Sequence, residues 1–126
     1  EVAREADYLV LTLPLTTRSR HLIDTTVLAA LPPGAWLINV SRGPLVDETA
    51  LLDALRGGRL AGAILDVFEV EPLPPDHPLW DVPNVTITPH VSGATPRFRD
   101  DLVVENVRRY LAGEPLLNVV DPERGY

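Results

Sequence analysis

Apolar residues in this chain come in short unbroken runs, separated by longer stretches in which they recur at helical spacing. Tyr8-Leu-Val-Leu-Thr-Leu13 is one such run, stopped by Pro14. A continuous run of that length suits a strand covered on both faces, so 8–13 is expected as a central parallel strand. The same pattern predicts strands over 35–40, 61–67 and 84–88.

Between them lie helix signals. Asp24 stands at an N-cap position before Thr25-Thr-Val-Leu-Ala-Ala-Leu31, and Pro32-Pro33-Gly34 cannot continue that helix. Asp47 caps a second helix over 48–55, which ends at Gly57-Gly58. From 96 to 111, Phe98, Leu102, Val103, Val107 and Leu111 recur on one helical face with charges between them, as far as Gly113. The proline-dense stretch from Glu71 to Pro83 reads as a loop too polar for the core.

Strands alternating with helices over short connections imply right-handed crossovers onto a parallel sheet. The expected fold is therefore α/β, a partial doubly wound (Rossmann-type) parallel sheet with flanking helices. A complete dinucleotide fold opens with a Gly-x-Gly-x-x-Gly turn and carries an acidic residue on the next strand. Neither is present, so the four strands read as the later half of such a sheet. The absence of methionine and the start at Glu1, just before a strand, likewise suggest part of a longer protein.

Composition narrows the function classes. A net charge of -7 with no basic block makes nucleic acid a poor partner. No apolar stretch has the length of a membrane span, no signal peptide opens the chain, and a cytoplasmic location is the default. Without cysteine there is no thiolate chemistry. His77, His90, Asp66 and Asp76 show no ligand spacing, so no metal is expected. Ser41 and Ser92 lack the Gly-x-Ser-x-Gly elbow of a serine hydrolase.

Candidate chemistry gathers just past the strands, where parallel sheets place their ligands. Arg42 follows the strand over 35–40, and a guanidinium can grip a carboxylate through two parallel hydrogen bonds. Gly43-Pro44 fixes the turn behind it; the bland alternative is an arginine that caps carbonyls or pairs with Asp47. His90 follows a strand and a proline, and an imidazole suits proton transfer near neutral pH. A carboxylate on its far nitrogen would fix the tautomer and stabilise the imidazolium. Glu69 and Glu71 both qualify, and spacing does not choose between them. Asp66 either faces the crevice or caps a turn, while His21 reads as part of a solvated surface segment and His77 sits in the proline loop.

Three segments in order, Leu37-Ile-Asn-Val-Ser-Arg-Gly-Pro-Leu-Val-Asp-Glu48, Leu60-Ala-Gly-Ala-Ile-Leu-Asp-Val-Phe-Glu-Val-Glu-Pro72 and Asn84-Val-Thr-Ile-Thr-Pro-His90, resemble the D-isomer-specific 2-hydroxyacid dehydrogenases. Nearly the whole chain is covered. The resemblance implies that residues 1–95 are the later half of a dinucleotide-binding domain and 96–126 a helix and tail returning to a substrate domain. It implies reversible reduction of a small 2-oxo acid to a D-2-hydroxy acid by hydride transfer from NADH or NADPH, so that NAD or NADP is the cofactor. Arg42 would bind the substrate, His90 would donate the proton, and Glu71 would orient His90.

The resemblance further implies cofactor contacts at Leu13, Pro14, Val40, Ser41, Arg42, Asp66, His90 and Gly93, and a homodimer when complete. Related formate dehydrogenases carry glutamine where this chain has Glu71, which favours a 2-hydroxy acid. The departures are the missing glycine-rich turn, cofactor-selecting residue and N-terminal substrate loops, so the chain alone is not expected to turn over. A non-catalytic, corepressor-like relative that senses the dinucleotide is the alternative.

Overall fold

The computed structural model describes residues 2–93 and 96–125. The strands are β1 (Tyr8–Leu11), β2 (Ala35–Asn39), β3 (Leu60–Leu65) and β4 (Val85–Ile87). The helices are α1 (Thr25–Ala30), α2 (Glu48–Arg56) and α3 (Pro96–Ala112). Single 3-10 turns cover Val2–Arg4, Gly43–Leu45 and Pro78–Asp81. The chain divides into two compact units, residues 1–92 and 93–126.

In the first unit the strands form one parallel sheet in the order β1-β2-β3-β4. Tyr8 lies opposite Trp36, Trp36 opposite Gly62, and Ala63 opposite Val85. The α/β architecture with a parallel sheet and flanking helices is the expected one. Because every strand runs the same way, all four release their following loops at one edge, and Arg42, Glu71 and His90 belong to those loops.

Both short helices start as their sequences dictate. The Asp24 carboxylate accepts the Val27 N–H at 2.9 Å and Asp47 accepts the Ala50 N–H at 3.0 Å, each satisfying a donor that a helix start leaves free. Helix α2 buries Ala50, Leu51, Leu52 and Leu55. The core joins these to Leu28, Leu31, Leu37, Leu45, Leu60 and Leu65. At the far end of α1 the Arg59 guanidinium donates to the carbonyls of Ala29 and Leu31, placing a cation where the helix dipole favours one. Gly62 leaves room for the Trp36 ring, whose atoms would lie 2.5 Å from a Cβ at that position.

Two expectations change. Strand β1 is an edge of the sheet among the described residues, with Tyr8 and Val10 exposed. An apolar run fixes that a strand forms; whether it is central depends on what pairs with it. The proline-dense loop is also not wholly outside the core, because Leu79 and Val82 are buried. The 3-10 turn Pro78–Asp81 aims these two apolar side chains inward while its polar neighbours stay out.

In the second unit α3 ends at Gly113, whose φ of 67° is the left-handed conformation common just past a helix. The Asn106 amide clamps Leu117 from both sides, accepting its N–H at 2.8 Å and donating to its carbonyl at 3.1 Å. Arg108 and Arg109 both bind Glu105 and hold its carboxyl down at about 2. Val103, Val107 and Leu111, which recur at helical spacing along α3, are exposed. Periodicity marked the face, but nothing among the described residues of this unit covers it.

Candidate functional site

The turn that carries Arg42 is built by a buried polar residue. Asn39, the last residue of β2, is 1% exposed. Its amide donates to the Arg42 carbonyl at 3.0 Å and its oxygen accepts the Ser41 N–H at 3.1 Å. An asparagine can be buried only when such partners exist, and here the partners lie in the turn that carries Arg42. In the sequence the one sign of this role for Asn39 is that an amide closes an otherwise apolar strand. The Ser41 hydroxyl donates to the Leu13 carbonyl, tying the ends of β1 and β2 together.

Arg42 is exposed, and one of its nitrogens donates to the Ser41 carbonyl at 2.7 Å. No ion pair to Asp47 forms, since that carboxylate is the cap of α2. Behind Arg42, a Cβ on Gly43 would lie 1.9 Å from the carbonyl carbon of Phe68. Only glycine lets the Arg42 loop rest on the backbone of the loop after β3.

That second loop leads from Asp66 to Glu71. Glu71 settles the pairing left open by spacing. Its carboxylate meets His90 Nδ1 at 2.7 Å and accepts the Phe68 N–H at 3.0 Å. Glu69 turns elsewhere, to His21 Nε2 at 2.8 Å. Burial pushes the Glu71 carboxyl up, yet the His90 hydrogen bond, the Phe68 N–H and the charges of His90 and Arg42 outweigh it and hold the carboxyl below its usual range. An ionised Glu71 can only accept, so Nδ1 of His90 carries the proton of this bond and Nε2 is left for other chemistry.

His90 sits in the left-handed region with a φ of 52°, an uncommon conformation for a residue with a side chain. Asp66 holds the segment there. This carboxylate is buried at 1% exposure and accepts the Thr88 hydroxyl, the Val91 N–H at 3.0 Å and the Ser92 N–H at 2.9 Å. Desolvation opposes the charge, but hydrogen bonds from Ser92, Thr88 and the Val91 and Ser92 backbone prevail and keep the carboxyl well below the usual range. Asp66 thus grips both sides of His90 from the end of β3. The Ser92 hydroxyl reaches the Val40 carbonyl at 3.3 Å, and Gly93 begins the second unit.

Beside the pair lies a cavity of about 600 Å³ lined by Glu71, Pro72, Leu73, Trp80, Pro89 and His90, among others. Leu13 and Val40 are half-buried at neighbouring strand ends, with Pro14 exposed beside them. The cavity thus sets apolar side chains such as Leu73, Trp80 and Ile87 beside the Glu71–His90 pair. The remaining histidines also find carboxylates: His21 bonds Glu69 rather than standing free in solvent, and His77 lies 3.4 Å from Glu48.

Comparison with known proteins identifies the family to which the fold belongs. Residues 1–92 match the profile of the D-isomer specific 2-hydroxyacid dehydrogenase, NAD binding domain. A glyoxylate/hydroxypyruvate reductase B from Pectobacterium carotovorum is 49% identical over 94% of this chain and 38% of its own length. A D-isomer specific 2-hydroxyacid dehydrogenase from Xanthobacter autotrophicus Py2, solved with NADPH and MES, superposes with a TM-score of 0.91 at 55% identity, covering 98% of this chain and 52% of that one. An NADPH-dependent glyoxylate/hydroxypyruvate reductase from Sinorhizobium meliloti, solved with NADP and sulfate, gives 0.90 at 39% identity over 98% of this chain and 41% of that one. The chain spans about two fifths of the length of the curated relatives it matches. With the motifs, the parallel sheet and the profile over residues 1–92 in agreement, the chain belongs to the D-isomer-specific 2-hydroxyacid dehydrogenase family.

Proposed function

We propose that this chain carries the acid–base and substrate-binding groups of an oxidoreductase that reduces a small 2-oxo acid to the D-2-hydroxy acid with NADH or NADPH. The observation that carries the reading is the 2.7 Å contact between His90 Nδ1 and Glu71, on the same strand edge as Arg42.

Each group has a task that its surroundings support. Arg42 keeps guanidinium N–H groups beyond the one given to Ser41, and these would take the substrate carboxylate as a fork. His90 would deliver a proton from Nε2 to the carbonyl oxygen, while Glu71 holds the ring's tautomer and stabilises its charged form. Leu13, Pro14, Val40 and Ser41, with Arg42, Asp66, His90 and Gly93, would hold the nicotinamide end of the cofactor. When bound, the nicotinamide supplies the hydride to the carbonyl carbon. The overall balance is 2-oxo acid, NAD(P)H and one proton giving 2-hydroxy acid and NAD(P)+.

The test is oxidation of NADH and NADPH by the full-length protein with glyoxylate, hydroxypyruvate, pyruvate and phenylpyruvate. Turnover of at least one acid, lost in H90A while nucleotide binding persists, is the expected result. Nucleotide binding with no turnover of any acid would favour a sensor, and full turnover by H90A would overturn the role of His90.

A further inference from the structure

The loop that presents Glu71 to His90 has an anchor outside the three site residues. Glu48 is the first residue of α2, directly after the capping Asp47. Its Oε1 accepts the Glu69 N–H at 2.7 Å, and its Oε2 lies 3.4 Å from His77 Nε2. The side chain is 14% exposed, so these contacts form largely away from water. Desolvation pushes the Glu48 carboxyl up, opposed by the Glu69 N–H and the His77 charge and reinforced by the Glu69 carboxylate.

The geometry makes this bond a link between two loops. Gly43 lies close against the Phe68 backbone, and Glu48 holds the very next peptide N–H, that of Glu69. The Phe68 N–H in turn holds Glu71. The segment Gly43–Glu48 therefore grips the Phe68–Glu69 stretch at two points, and the same segment begins one residue after Arg42. We propose that Glu48 is a positioning residue for the site: its hydrogen bond to the Glu69 N–H fixes the spacing between the Arg42 turn and the Glu71–His90 pair. This rests on the oxidoreductase reading above and assigns Glu48 no contact with substrate.

Two conservative variants isolate the bond. E48Q keeps the reach and an acceptor for the Glu69 N–H, while its amide loses the His77 contact. E48D keeps the charge but is one methylene shorter and cannot span to the Glu69 N–H without moving the helix. In the full-length protein E48Q should reduce the 2-oxo acid within about threefold of wild-type kcat, whereas E48D should lose roughly ten- to a hundredfold, the scale expected for a small misplacement of reacting groups. E48D should also move the high-pH limb of the reduction profile to lower pH, because a Glu71 out of register stabilises the charged His90 less. Equal behaviour of the two variants, or the reverse order, would overturn the proposal. The wild-type rate measured alongside separates the cases: no turnover of any 2-oxo acid by the wild type overturns the oxidoreductase reading, and wild-type turnover with no difference between E48Q and E48D overturns only the role of Glu48.

Discussion

The Glu71 carboxylate binds His90 Nδ1 at 2.7 Å while its other oxygen takes the Phe68 N–H three residues back in its own loop. One side chain is thus aimed by its own backbone and in turn aims the imidazole. Glu69, two residues earlier, faces His21.

Replacing Glu71 by glutamine should change the pH dependence of 2-oxo acid reduction. The Glu71 carboxyl lies below its ordinary range, so its charge is fully present above the usual value of ~4.3 and is lost only as the pH falls through the lower folded value. In E71Q the charged imidazole loses this partner across the whole neutral range. The high-pH limb of the rate profile should move to lower pH, with the larger loss of rate at high pH. Stopped-flow or steady-state rates between mildly acidic and alkaline pH would check it, and an unchanged profile would remove Glu71 from the mechanism.

The Asp66 carboxylate predicts a stability effect. Asparagine there can offer one acceptor oxygen to partners now shared between two, leaving a partly buried N–H without its acceptor, at a cost of about 1 kcal/mol. D66N should therefore melt at lower temperature and free the segment around His90. Because the folded carboxyl lies well below its usual range, the wild-type contribution is present above the unfolded value of ~3.9 and fades as the pH falls towards the folded one. The gap between wild type and D66N should narrow in acid; a gap that is constant with pH would show that the charge is not responsible.

Gly43 predicts the opposite kind of damage, through excess volume. A methyl group 1.9 Å from the Phe68 backbone must push the two loops apart, costing ~3 kcal/mol, at the upper end of overpacking penalties. Any folded G43A should show impaired turnover with nucleotide binding less affected. Chemical denaturation and nucleotide titration would measure the two effects, and wild-type stability would mean the close approach is absent in solution.

Arg42 should divide the kinetic parameters. R42K retains a positive charge but not the planar fork, so KM for the 2-oxo acid should rise about tenfold or more, as befits a lost bidentate contact, with NADH affinity nearly unchanged. Equal KM values in R42K and wild type would count against carboxylate binding by this side chain.

Much of this was legible in the residues. Unbroken apolar runs, Asp24 and Asp47 as caps, and proline or glycine stops located four strands and three helices, because those signals act within a few residues of themselves. Strand-end placement likewise marked Arg42, His90 and the two glutamates. The loop over 71–83 misled because isolated leucine and valine residues among prolines carry no period, and Leu79 and Val82 go inside only once the 3-10 turn forms.

By itself the sequence determined the α/β alternation, the family motifs and the types of chemical group near one edge of the sheet, all of which depend on local pattern. The tertiary structure decided which glutamate meets His90, that Asn39 and Asp66 spend their buried polar atoms building the loops around the site, and that Gly43 lets two of those loops touch. Each of these joins residues distant in the chain or a short side chain to backbone, and a buried polar atom takes whichever partner the packing brings within hydrogen-bond reach.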